Sequence, residues 1–121
     1  MSDAVSNLSC RVLAAGGAVL AALGVALSAY AAHVALDGGR AALQMAALFA
    51  LVHGIALAAL APRASRQLAR IALAAMLLGV LLFSGSLGAA HFLAAPTVLA
   101  PYGGSLMILA WLLYAADSVR R

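Results

Sequence analysis

The sequence predicts an all-α protein, a four-helix transmembrane bundle with both termini in the cytoplasm. Of its 121 residues, 67% are hydrophobic and only 8% are charged, which leaves too little polar surface to cover a soluble globule. The mean hydropathy is +1.13. Four long apolar runs are separated by short polar segments, and each run is long enough to cross a hydrocarbon core of about 30 Å. We therefore expect one integral membrane domain over residues 1–121.

The first two spans are predicted at 12–36 and 41–61, after a polar and only partly ordered lead over residues 1–11. The first run is longer than a usual signal-peptide apolar region, so we expect it to be retained. Asp37-Gly38-Gly39-Arg40 predicts a tight turn between the spans, and Pro62 ends the second. Small residues at helical spacing along the first span predict a close helix contact: Gly17, Ala21, Gly24, Ser28 and Ala31.

The third span is predicted at 71–95 and contains Ser84-Gly85-Ser86 near its middle. On a helical wheel Ser84, Gly88 and His91 share one face, while Gly79 and Ser86 lie roughly opposite. Small residues on two faces indicate a helix that packs on both sides. A ligand-facing notch is the alternative, although hydroxyl and small residues are common at helix crossings.

The segment LAAPTVLAPYGG at 93–104 is apolar but contains Pro96 and Pro101, which do not suit a helix interior. We expect it either at the membrane interface or folded over the end of the bundle, with Tyr102 at headgroup level. Gly103-Gly104 is expected in a turn rather than in an anion site at a helix N-terminus. Pro101 suits the first turn of a fourth span over 101–118. Trp111 forms an i, i+4, i+7 stripe with Met107 and Tyr114, which is typical of a packing seam.

Arginine distribution predicts the orientation. The net charge of +4 comes from seven arginines and three aspartates. If the termini share a side with the loop after the second span, that side carries six arginines and the other only Arg40, which places both termini in the cytoplasm. The six are Arg11, Arg63, Arg66, Arg70, Arg120 and Arg121. Because they flank apolar runs, the basic charge indicates membrane topology, and no nucleic-acid partner is expected.

Several of these motifs resemble a known family. LFSGSL at 82–87, the Pro101-x-Gly103-Gly104 motif with Trp111 ten residues after the proline, and Ala32-His33 are similar to the YgdD-type family, domain of unknown function 423. The resemblance covers nearly the whole chain. It implies a four-helix protein of the bacterial inner membrane, with mitochondrial relatives, and brings no established activity. The family's Tyr-Gln-x-x-His appears here as residues 49–53, where only His53 is kept.

Histidines are the candidates for polar chemistry, because we expect no Asp, Glu, Lys or Arg within an apolar span. His53 lies about 18 Å from the outer end of its span. A neutral imidazole at that depth needs a hydrogen-bond partner, and we expect Ser84 or Ser86. An interhelical hydrogen bond is the favoured interpretation of His53, and a proton-handling or ligand-contacting role is the alternative.

A second group of candidates is expected near the outer boundary. His33 and His91 with Met45 and Met107 form a donor set of the kind that binds Cu(I). Water-exposed histidines and gap-filling methionines are the simpler interpretation. His33 and His91 are also the one pair suited to axial haem ligation. Cys10 is the single cysteine, so the sequence excludes an intrachain disulfide.

The predicted function is non-enzymatic, that of a small structural or accessory protein acting through helix contacts. The alternative is a small oligomeric pore or carrier with a polar path at His53, Ser84 and Ser86. We predict no catalytic residue, metal ligand or cofactor. The expected partners are the lipid bilayer and either further copies of the chain or a larger membrane complex. The candidate polar or packing residues are His33, His53, Ser84, Gly85, Ser86, Gly103, Gly104 and Trp111.

Overall fold

A computed structural model describes residues 2–33 and 39–120, and these form four long helices. They are α1 Ser2–His33, α2 Gly39–Leu60, α3 Gln67–Leu93 and α4 Ala100–Val119, with a short 3₁₀ turn at Ala61–Arg63. Each of the four is long and apolar enough to cross a membrane. The predicted all-α, four-helix transmembrane fold is confirmed. Residues 34–36 of the predicted first span, and Asp37 and Gly38 of the predicted turn, lie outside the described residues.

Two helices begin earlier than predicted. The expected partly ordered lead over residues 1–11 is wrong, because α1 is helical from Ser2. Residues 2–11 contain no proline or glycine, and Asp3 in the first turn interacts favourably with the helix dipole. Helix α3 begins at Gln67 rather than at 71. A charged residue ends an apolar run but does not end a helix, so Arg11 and Arg70 both lie on helices.

Helices α1 and α2 form a tight antiparallel hairpin in which backbone lies against backbone. A Cβ atom added at Gly17 would lie 2.6 Å from Leu57 Cβ, and one at Gly24 would lie 2.7 Å from the Leu51 nitrogen. Gly17 lies beside Leu57 and Gly24 beside Leu51, so residue numbers increase along α1 while they decrease along α2. The two helices are therefore antiparallel. The predicted small-residue contact is confirmed at Gly17 and Gly24, whereas Ser28 is exposed.

Helices α3 and α4 form a second hairpin of the same kind. A Cβ atom at Gly79 would lie 3.0 Å from the Gly103 carbonyl oxygen, and one at Gly103 would lie 2.5 Å from the Phe83 nitrogen. The predicted turn at Gly103-Gly104 is wrong: both residues lie inside α4, and none of the described glycines has a positive φ. Gly103 instead allows α4 to approach α3, and Pro101 lies in the first turn as expected.

The two hairpins pack together through α2 and α3, so α3 contacts a neighbour on two sides, as its sequence predicts. The core between them holds Leu13, Leu20, Leu57, Leu73, Met76, Val80 and Met107. Large apolar side chains such as Leu23, Ile55 and Ile108 are exposed on the outer surface, where a bilayer would cover them.

The bundle has two ends. The terminal end carries the start of α1, the 61–66 segment and the end of α4, and the far end carries the other helix ends. At the far end, Arg40 Nη2 donates to the Ala32 carbonyl at 3.2 Å, which caps the last turn of α1. Helix α3 ends at Leu93, and the next residue, Ala94, caps it with a φ of 54° in the left-handed region. Residues 94–99 connect α3 to α4.

Candidate functional site

His53 lies buried near the middle of the bundle, with 6% of its surface exposed. The Trp111 Nε1 of α4 lies 3.1 Å from His53 Nε2, and His53 Nδ1 lies 2.9 Å from the Phe49 carbonyl oxygen one turn back on α2. An indole nitrogen is only ever a donor, so Nε2 accepts and the proton sits on Nδ1, which donates to Phe49. The ring is therefore a neutral imidazole with one tautomer selected and both nitrogens bonded.

The expected hydrogen bond from His53 to Ser84 or Ser86 is wrong. Ser84 Oγ donates instead to the Ala46 carbonyl at 2.8 Å. Ala46 lies seven residues before His53, so the two polar contacts are separated by about 10 Å along α2. Ser86 is buried, and its Oγ has no hydrogen-bond partner among the described residues. Because Ser84 and Ser86 are about 200° apart on a helix, they face different neighbours and form no single polar path with His53.

Both of these polar contacts join the two hairpins to each other. His53 and Trp111 link α2 to α4, and Ser84 links α3 to α2. The rings of Phe49 and His53 are stacked with centroids 5.6 Å apart, and Phe49 lies 4.9 Å from Phe83 of α3. We call His53, Trp111 and Phe49 the central clasp. It connects α2 to both helices of the second hairpin, to α4 through Trp111 and to α3 through the Phe49–Phe83 ring contact.

Sequence reasoning placed Trp111 in a packing seam and missed its role as a donor. Its ring does contact Tyr114, at 6.4 Å between centroids, and Met107 is buried. The missed signal is the indole N–H: in the middle of an apolar span it has no water to bond and requires an acceptor. His53 is the acceptor that the chain offers at that depth.

The four glycines near the middle of α3 and the start of α4 divide into two groups. Gly103 is buried against α3, and a Cβ at Gly104 would meet Phe83 at 4.0 Å. No described residue lies within 4 Å of a Cβ added at Gly85 or Gly88. Gly85 is exposed and faces away from the rest of the chain, whereas Gly88 is partly buried and lies beside an open space.

The far-end histidines do not form the copper donor set that was the alternative interpretation. His91 contacts Tyr30 of α1 edge-on, with ring centroids 5.9 Å apart, while His33 is exposed. Met107 is buried in the α3–α4 contact and Met45 is exposed on α2, so the four candidate copper ligands are dispersed. Within residues 2–33 and 39–120 no three His, Cys, Asp or Glu side chains lie close enough to hold a metal ion.

Asp117 is a buried carboxyl that the sequence analysis missed. The expectation of no charged residue within an apolar span is wrong here, because Asp117 lies inside α4 with only 3% of its surface exposed. Its Oδ1 has no hydrogen-bond partner among the described residues. Gly79 of α3 lies beside Met107 of α4, since a Cβ at Gly79 would lie 3.0 Å from the Met107 nitrogen. The two helices are antiparallel, so Asp117, ten residues after Met107, is level with Ala69, ten residues before Gly79. Asp117 therefore lies at the terminal end of the bundle.

Comparison with known proteins gives the family. A family model described as a protein of unknown function (DUF423) matches residues 27–104. A UPF0382 membrane protein of Haemophilus influenzae is 36% identical over 108 residues, which cover 79% of this chain and 84% of the relative. The chain belongs to the DUF423 family. The resemblance inferred from the sequence motifs is thereby confirmed, and no solved structure matches the chain.

The DUF423 match covers only part of the central clasp. It begins near the end of α1 and ends within the first turns of α4. His53, Ser84 and Gly103 lie within the matched residues, whereas Trp111 and Asp117 lie beyond them. The Haemophilus influenzae relative is likewise described as a membrane protein. The partner of His53 lies in the part of α4 beyond the match.

Replacing Trp111 with phenylalanine tests the clasp. The change removes the N–H donor, leaves His53 Nε2 buried without a partner, and is expected to lower the free energy of unfolding by about 1 kcal/mol. The measurement is denaturant unfolding in detergent of His53→Leu, Trp111→Phe and the double variant. A coupling energy of about 1 kcal/mol is expected, and strictly additive single effects would show that the bond contributes nothing.

Proposed function

We propose that the protein is a non-enzymatic structural or accessory protein that acts through helix contacts, either with other copies of itself or with a larger membrane complex. It resides in the bacterial inner membrane with both termini in the cytoplasm. The arginines support this orientation, because those of the terminal end outnumber the single Arg40 of the far end.

The central clasp is the observation that supports a non-enzymatic role. A histidine that handles protons or contacts a ligand needs a ring nitrogen that is free to do so. Both nitrogens of His53 are bonded within the chain, one to Phe49 and the other to Trp111. The side chain best suited to chemistry in the middle of the bundle is therefore engaged in holding helices together.

The outward face of α3 supports action through helix contacts. Glycine in a helix interior costs roughly 0.5–1 kcal/mol relative to alanine, and in membranes it commonly allows two helices to approach. Gly17, Gly24, Gly54, Gly79 and Gly103 all serve that purpose inside the chain. Gly85 and Gly88 lie on the same helix as Gly79 yet have no neighbour within 4 Å of an added Cβ, which suits a helix from another chain.

Leucine at Gly85 or Gly88 tests the proposal. The larger side chain blocks close approach, and we expect at least a tenfold loss of the assembled species, a difference of about 1.4 kcal/mol. The assay is native mass spectrometry of protein expressed at its natural level and released gently from its own membrane. Ala26→Leu is the matched control, since Ala26 is exposed on α1 in the same half of the bundle and is expected to assemble as the wild type does.

Two outcomes would overturn the proposal. One is a wild-type protein that is monomeric and without partners under these conditions. The other is ion or solute flux in liposomes that His53→Ala abolishes while the bundle stays folded, which would favour the pore or carrier. Equal flux through wild type and His53→Ala would exclude His53 from any transport path.

A further inference from the structure

A groove of about 650 Å³ lies between the first turns of α1 and α3 at the terminal end. It exists because α1 packs mainly on α2, while α3 packs on α4 and α2, so these two parallel helices touch only lightly. We infer that this groove binds an anionic phospholipid, with the headgroup phosphate at Arg70 and an acyl chain between the helices. The site is separate from the open glycine face, which lies towards the far end of α3.

The polar side chains of the groove all lie near the helix starts, and they are Ser6, Ser9, Gln67 and Arg70. On the α1 side Val5 and Leu8 lie among them, so only the α3 side is purely polar at this level. Further along both helices the walls consist of Val12, Leu13, Ile71 and Ala74. A phospholipid likewise carries its polar group at one end and hydrocarbon at the other. A water-soluble ligand would leave the apolar walls without a partner.

Arg70 is held where a phosphate would reach it. Its Nη1 donates to the Ser65 carbonyl at 3.0 Å and to the Ala64 carbonyl at 3.4 Å. A guanidinium has five N–H donors, and within the described part of the chain these bonds engage Nη1, so Nη2 and Nε keep donors for an anion. Arginine forms charge-assisted, often bidentate bonds to phosphate. Gln67, three residues earlier on the same helix, adds an amide donor to the lining.

Charge complementarity favours an anionic lipid over a second copy of the chain. The same end of the bundle carries Arg11, Arg63, Arg66 and Arg120 in addition to Arg70. A second copy related by symmetry in one membrane would bring its own arginines to this level, where like charges repel. Basic pockets between transmembrane helices on the cytoplasmic side are typical sites for anionic headgroups.

The test is native mass spectrometry of the full chain in detergent, titrated with phosphatidylglycerol or with zwitterionic phosphatidylcholine. We expect the wild type to retain phosphatidylglycerol preferentially. Arg70→Gln should lose about tenfold in retention, the effect of one charged hydrogen bond. Arg63→Gln removes the same charge from an exposed residue outside the groove and should behave as the wild type does.

A second variant keeps the test decisive if Arg70→Gln alters the 61–66 segment. Ala74→Phe fills the apolar half of the groove and leaves Arg70 in place, and a similar loss of retention is expected. Ala22→Phe, at an exposed position of α1 outside the groove, is its control. Equal retention of the two lipids by the wild type, or equal losses of retention in Arg63→Gln and Arg70→Gln, would each overturn the inference.

Discussion

Replacing Gly54 with alanine is expected to destabilise the bundle by on the order of 3 kcal/mol. The added methyl group would lie 2.5 Å from the Gly17 carbonyl oxygen and 2.6 Å from the Ala21 nitrogen. Both are backbone atoms of α1, which cannot rotate away as a side chain does. The two helices must therefore separate along their whole contact, and the packing on either side of Gly54 is lost with it.

The same substitution at Gly85 is the matched control. Alanine there meets nothing within 4 Å, and alanine favours a helix by up to about 1 kcal/mol over glycine. We expect Gly85→Ala to be as stable as the wild type or slightly more stable, measured by denaturant titration of both variants in the same detergent. Similar free energies of unfolding for Gly54→Ala and Gly85→Ala would show that α1 and α2 do not pack backbone to backbone.

The glycine contacts and the hydrogen bonds hold different interfaces of the bundle together. In a bilayer no hydrophobic effect drives helices together, so association depends on close packing and interhelical hydrogen bonds. Gly17 with Gly54, and Gly79 with Gly103, supply close packing within each hairpin. The His53–Trp111 and Ser84–Ala46 bonds supply the polar contacts between hairpins. The two means of association are thus used at different interfaces.

The helices themselves were predictable, because apolar runs of membrane length have few alternative structures. Their ends were less so: the run stops at Arg11 and Arg70, but α1 and α3 continue through both residues. The contact at Gly17 and Gly24 was also predictable from spacing. That Gly85 faces away from the chain was not, since an alanine-rich helix shows small residues on nearly every face.

The central clasp was half predictable. Depth and polarity require a partner for His53, and that much follows from α2 alone. Which partner it finds depends on how α4 is rotated and placed against α2, and no pattern within one helix encodes that relation. Ser84 and Ser86 were plausible at a comparable depth, but the side chain that reaches His53 Nε2 is Trp111.

Replacing Asp117 with asparagine is expected to stabilise the protein by about 1–3 kcal/mol. Asp117 is buried, and its Oδ1 has no partner among the described residues. A charged carboxylate with one buried oxygen left without a partner is more costly than a neutral amide of nearly the same shape. The measurement is the free energy of unfolding in detergent at neutral pH. Asp3→Asn, the same change at an exposed position of α1, is the control and should stay within about 0.5 kcal/mol of the wild type.

The sign of the Asp117→Asn effect separates two states of the terminal end. A gain in stability means that the Asp117 carboxyl destabilises the isolated chain. A loss of similar size would contradict the prediction, because breaking a buried charge pair is strongly destabilising and the carboxylate would then have a basic partner outside the described residues. Repeating the measurement on protein kept with its native membrane components distinguishes the two. If Asp117→Asn stabilises the protein in detergent but destabilises it with its native membrane components, a basic group of another molecule pairs with Asp117 in the membrane.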